Sequence, residues 1–275
     1  MTLRRLFTHW GTATGLFILA FVVIAALGAQ WIIPYDPLRM SVGPRLTPPS
    51  AAHWFGTDEL GRDLFSRVLT GTRLSLGIGL VAVAIGLSVG VLFGLVIAVC
   101  GPRLKSALLR VVDVLYSFPD TLIALALVAF MGPGVNNATI AIAISLIPFY
   151  ARITYGLAAV EHAKPYVEAA WISGARAHRV MAVQITPNIL QSLIVVGSIG
   201  FSSAILSAAG LSFLGLGVQP PSPEWGSILA SGRNYINRAP WILIFPGLAI
   251  CLTVLAFNLI GDGLRDLTDP KARRR

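Results

Sequence analysis

Leu74–Pro102 reads LSLGIGLVAVAIGLSVGVLFGLVIAVCGP, 29 consecutive residues without Asp, Glu, Lys or Arg. About 20 apolar residues cross the roughly 30 Å hydrocarbon core of a bilayer as a helix. Two further runs free of these charges follow, Thr121–Ala151 (31 residues) and Val180–Pro223 (44 residues). Each is long enough to span, and the abundance of Gly within them suits spanning helices.

Composition agrees. Hydrophobic residues make up 55% of the chain and charged residues 12%, half the charged share of an ordinary soluble domain. The sequence predicts an all-α integral membrane protein with six transmembrane helices. They are placed at Thr12–Ile33, Leu74–Val99, Arg110–Met131, Val135–Tyr155, Ser192–Leu214 and Ala239–Gly261. The apolar core of the first stretch runs through Ile33, longer than the 7–15-residue core of a secretory signal, so it reads as a retained anchor.

The net charge of +9 does not point to nucleic acid, because the basic residues flank the apolar runs. With both termini in the cytoplasm, fourteen Lys and Arg fall inside, among them Arg4, Arg5, Lys271 and Arg273 to Arg275, and seven fall outside. The positive-inside rule favours that orientation. It places the Pro34–Arg73 loop outside, where Leu60, Leu64, Phe65, Val68 and Leu69 predict a short helix at the membrane surface or packed on the bundle.

Within the spans, Gly86, Gly90 and Gly94 form a smooth stripe for a close helix contact, inside the chain or with another subunit. Asp113, one turn from Arg110, reads as a helix-end ion pair. Asp120 follows Pro119, which frees a backbone carbonyl, and is the candidate for a polar lining position on a translocation path. The glycines and prolines between Gly210 and Pro223 predict irregular backbone at the outer mouth. Cys100 and Cys251 read as inert thiols, and His9, His53, His162 and His178 as surface residues.

Several chemistries have no motif. There is no Gly-rich phosphate loop with Lys and Ser or Thr, no His-Glu-x-x-His zinc pattern and no Gly-x-Ser-x-Gly turn. No catalytic residue, bound cofactor or metal is expected. An ion-coupled secondary transporter would need intramembrane polar residues in repeated, broken helices. A membrane hydrolase would need a base near Ser202, Ser203 or Ser207.

The inner segment Tyr166–Leu190, YVEAAWISGARAHRVMAVQITPNIL, is read as a helix, a turn at Gly174 and a second amphipathic helix ending near Pro187. Ala169, Ala170, Gly174 and Ala175 would let a partner approach. Val167, Trp171 and Ile172 offer apolar anchors, and Arg176 and Arg179 offer charge.

This segment resembles the EAA loop of permease subunits in binding-protein-dependent ABC importers. It matches at Glu168, Ala169, Ala170, Gly174 and Pro187, and departs at Gln184 and Thr186, where that pattern has Ile and Leu. WFGTDELGRD at Trp54–Asp63, LSFLGLGVQPPSPEWG at Leu211–Gly226 and NLIGDGLRDLTDP at Asn258–Pro270 resemble the second permease of the dipeptide, oligopeptide and nickel importer group. The likeness runs from about Leu19 onward.

The resemblance implies a type I ABC importer permease fold in a bacterial inner membrane. It divides the chain into an anchor helix with outer loop (1–73) and a core permease domain (74–275) with a coupling loop at about 161–187. Glu168, Ala169, Ala170, Trp171, Gly174 and Arg176 would meet an ATPase. The implied partners are a second homologous permease, two ATPase subunits that carry ATP and Mg, an extracytoplasmic binding protein and membrane lipid, with no nucleic acid. The implied solute is a di- or oligopeptide, with nickel or another small solute as the alternative.

Overall fold

The computed structural model describes residues 10–268. Arg4, Arg5, His9, Pro270, Lys271 and Arg273 to Arg275, used above for orientation, surface position or motif, lie outside the described residues. Among those described there is no β-strand, only one isolated bridge between Thr57 and Asp63. The helices are α1 (Trp10–Ile32), α2 (Leu64–Val99), α3 (Pro102–Tyr116), α4 (Asp120–Met131) and α5 (Val135–His162). Then come α6 (Pro165–Ile172), α7 (Ala177–Arg179), α8 (Thr186–Phe213), α9 (Trp225–Gly232) and α10 (Trp241–Thr268). A π-helical segment, Val180–Ile185, joins α7 to α8.

Five helical stretches are long and apolar enough to span, and α3 with α4, bent by 87°, pass the same test together, as a broken span or a re-entrant loop. Their outward faces carry large apolar side chains such as Phe17, Leu80, Leu92 and Phe130, the last 92% exposed. Without water to solvate a backbone in hydrocarbon, helices satisfy their polar groups internally.

The centre of the bundle is α2 against α5. An added Cβ at Gly86 would lie 2.8 Å from Ala143 O, at Gly90 2.5 Å from Tyr150 Cβ, and at Gly94 2.6 Å from Ala151 O. The glycine stripe is therefore used within the chain, by α5. α1 packs along α10, with Gly15 against Ala256 and Leu259.

Five spans depart from the sequence reading, α5 by running past Tyr155 to His162. α2 starts at Leu64, so the short helix expected near residue 60 is the start of the second span, packed on the bundle through Leu64 and Val68. At about 1.5 Å per residue its 36 residues reach about 54 Å, well beyond the bilayer core. The third span is not one helix. Pro119 lacks an N–H and disfavours helical backbone at Phe118, so α3 stops at Tyr116 and α4 restarts at Asp120. The second inner helix does not end near Pro187. It runs into the fifth span because the π turn before the proline carries hydrogen bonds five residues back, Thr186 N–H to Met181 O. α10 extends past Gly261 to Thr268.

Asp113 pairs with Arg152 of α5 at 3.1 Å and not with Arg110, because α3 crosses α5. Past Phe213 the chain leaves the helix through Gly215 at φ +79°, giving the expected irregular backbone, although Gly210 remains helical.

The loop between α1 and α2 is an ordered polar cluster. Asp63 caps α2, accepting from Ser66 N at 2.9 Å and Ser66 Oγ at 2.7 Å, and its other oxygen meets His53 Nδ1 at 2.9 Å. Arg62 reaches Asp58 at 2.6 Å and Glu59 at 3.0 Å. His53 is only 6% exposed, so it is not a surface histidine. Phe55 stacks on Phe245 and Trp241 Nε1 donates to Thr57 O at 3.1 Å, fixing the loop to α10.

Candidate functional site

Two sites emerge, a helical loop at one end of the bundle and a cavity at its middle. The loop begins where α5 ends. Lys164 caps α6 by backbone and Pro165 occupies the first turn, where a missing N–H costs nothing. Lys164 Nζ lies 2.7 Å from Glu161 Oε2, and the Tyr166 hydroxyl donates to Glu161 Oε1. Partial burial, then the hydrogen bond to the Glu161 carboxylate, holds the Tyr166 phenol up at about 12. Asn188 Nδ2 donates to Tyr166 Oη at 3.1 Å and to Gln184 O at 2.6 Å. These contacts tie the start of α6 to the return helix.

α6 ends at Gly174. Its φ of +77° is the left-handed conformation, Ala175 N–H donates to Ala170 O at 3.1 Å, and Gly174 N–H to Trp171 O at 2.9 Å. This is the glycine helix stop. No atom lies within 4 Å of where its Cβ would be, so conformation and not crowding requires glycine within this chain.

The side chains of α6 divide. Val167 is fully buried with Val180, Met181, Ile185, Ile189 and Leu193. Trp171 is half-buried against the same cluster, its ring 5.8 Å from that of His162. Neither Val167 nor the buried side of Trp171 is offered outward, a correction to the three-anchor reading. Ile172, 82% exposed, is the anchor that remains. Glu168, Ala169, Gly174 and Arg176 are exposed and Ala170 is half-buried. The two departures from the loop pattern carry local bonds. Gln184 serves through its backbone carbonyl, and Thr186 Oγ1 donates to Met181 O at 2.9 Å.

The second site is at the break between α3 and α4. Asp120 opens α4, and Ser203 Oγ of α8 donates to its Oδ2 at 2.6 Å. Both border a cavity of about 480 Å³ walled by α3, α4, α5 and α8. Sequence alone singled out Asp120. Ser203 was weighed only as a nucleophile, and its partner 83 residues away had no local signal.

A bundle of spanning helices, one of them broken at a polar residue, with a short helix on its end, defines a helical membrane permease. Residues 90–274 match the family described as binding-protein-dependent transport system inner membrane component. Residues 1–49 match the N-terminal transmembrane domain of oligopeptide transport permease C. The chain belongs to this family of ABC importer permeases.

Its relatives include the di/tripeptide transport system permease DppC of Pseudomonas aeruginosa, 48% identical over 96% of this chain and 89% of that protein. The probable D,D-dipeptide permease DdpC of Escherichia coli K12 is 47% identical over 95% and 88%. The glutathione permease GsiD of Pectobacterium atrosepticum is 45% identical over 98% and 90%. A chain of the inward-facing MetNI methionine ABC transporter superposes with a TM-score of 0.63, covering 74% of this chain and 96% of that one. At 18% identity that likeness shows the fold, which is the ABC importer permease fold.

Proposed function

We propose that this chain carries small peptides across a bacterial inner membrane as one of two permeases in an ATP-driven importer. The 161–187 loop is its contact with an ATPase subunit. One observation carries the loop assignment. α6 is fastened to the bundle through Val167 and Tyr166, while Ile172, Glu168 and the Gly174 turn stand free. A short helix rigidly joined to two spanning helices is a lever, and a push on it biases a two-state bundle.

In this reading both termini and α6 are cytoplasmic, and the outer loop and Leu214–Glu224 face the binding protein. The chain binds no nucleotide. ATP and Mg sit on two partner ATPases, and a second permease completes the pathway. The peptide substrate rests on the relatives, whose names specify dipeptides, tripeptides or glutathione. The division at residues 73 and 74 is a division of roles, since that point lies inside α2.

Gly174 gives the test. A side chain in left-handed backbone costs about 1–2 kcal/mol, more when β-branched, and Asn tolerates it best. Gly174→Val should reduce both uptake and binding-protein-stimulated ATP hydrolysis in reconstituted vesicles by roughly tenfold or more, the scale of 1.4 kcal/mol or above. Gly174→Asn should retain most of both. The permease should reach the membrane in normal amount in each case. Wild-type values for Gly174→Val in both assays would remove the coupling role.

A further inference from the structure

We infer that Asp120 is a transit site for a positively charged group of the solute, in peptides the terminal ammonium. This rests on the peptide-importer reading and adds the chemistry by which the pathway holds its cargo. Asp120 stands at the start of α4, whose 12 residues span about 18 Å at 1.5 Å each. It lies about 18 Å along α4 from the Gly132 turn, and the cavity it borders is lined by Ser145, Phe149, Ile199 and Ser203, midway along the spanning helices α5 and α8. A carboxylate at that depth is costly unless it faces water or a counter-charge. Among the described residues it makes no ion pair, and the cavity it borders has no Lys or Arg in its wall.

Two donors meet its carboxylate oxygens. The Thr121 N–H donates to Oδ1 at 2.7 Å and Ser203 Oγ to Oδ2 at 2.6 Å. The N-terminus of α4 adds a favourable dipole.

The rest of the wall suits a cation. Tyr116, Phe118 and Phe149 border the cavity, and aromatic faces attract ammonium groups. Ser145 and Ser203 supply hydroxyls. Behind the wall, the fully buried Tyr150 hydroxyl has no hydrogen-bond partner among the described residues and abuts Gly200, itself part of the lining. One carboxylate among aromatic rings and hydroxyls, with no cation to complete it, is a site for a mobile positive group. Having one charge and not several, it can hold a passing ammonium without trapping it.

The experiment uses the complete importer reconstituted in vesicles with its binding protein. A probe cysteine is placed at the exposed cavity residue Ile199, in a background of Cys100→Ala and Cys251→Ala. Modification is followed with ammonium-bearing and sulfonate-bearing methanethiosulfonates, each rate divided by that for a free thiol in solution. The cation should react about fivefold or more faster than the anion, and Asp120→Asn should bring the two within about twofold. Dipeptide uptake should fall roughly tenfold in Asp120→Asn and recover substantially in Asp120→Glu. An equal rate for both reagents in the wild type would overturn the assignment. So would undiminished uptake by Asp120→Asn, or loss of the assembled importer in both Asp120 variants, which would mark a structural ion pair with another subunit. Absence of peptide uptake by the wild type would instead defeat the peptide reading, while the reagent ratio still reports on Asp120.

Discussion

Asp63 holds the loop between α1 and α2 together by satisfying three donors at once. Its carboxylate caps α2 through Ser66 and binds the buried His53 ring. Removing an N-cap costs about 1 kcal/mol, and leaving a buried polar partner unsatisfied adds about 1–3 kcal/mol. Asp63→Ala should therefore lower the unfolding midpoint of the purified permease by several degrees, and Asp63→Asn should lower it less. An unchanged midpoint for Asp63→Ala would show that the cluster is not structural. None of this pairing was legible in the sequence. Histidine 53 and aspartate 63 meet only because the Thr57–Asp63 bridge folds the loop back on itself. Gly174 was legible, because a glycine closing a short helix has few other uses and its φ is positive. For Asp113 the nearest basic residue in sequence was the wrong partner, since α3 crosses α5 and brings in Arg152.

At the scale of elements, the charge-free runs placed the spans but not their ends. Apolar length says how much chain fits a bilayer and nothing about how far a helix continues into water, so α2 began ten residues before the expected Leu74. Pro119 and Pro187 look alike in sequence and act differently. The first sits between two helices bent by 87°. The second is passed because a π turn precedes it, and winding of that kind has no simple sequence signature. The α2–α5 contact yields a prediction. A valine at Gly90 would place Cβ 2.5 Å from Tyr150 Cβ and 3.0 Å from Ile147 O. Backbone cannot yield there, so Gly90→Val should separate the two helices and cut the amount of assembled permease severalfold. Gly77→Val, with open space at its Cβ, is the control and should accumulate normally. Equal accumulation of both variants would refute the packing described for the stripe.

In the function proposed above, the whole molecule is a lever joined to a pathway. α6 is continuous in its contacts with α5 and with the π segment that leads into α8, and α8 supplies Ser203 to the cavity beside Asp120. A displacement of α6 thus has a direct mechanical route to the wall that contains Asp120. The route depends on α6 meeting an ATPase on the cytoplasmic side, and cross-linking from Ile172 tests that most directly. Ile172→Cys, in a background of Cys100→Ala and Cys251→Ala, should form a cross-link to an ATPase subunit in inside-out vesicles. It should remain unlabelled by impermeant thiol reagents added to right-side-out vesicles. A residue 172 that is labelled from the outer side, or that cross-links to the binding protein and never to an ATPase, would contradict the account.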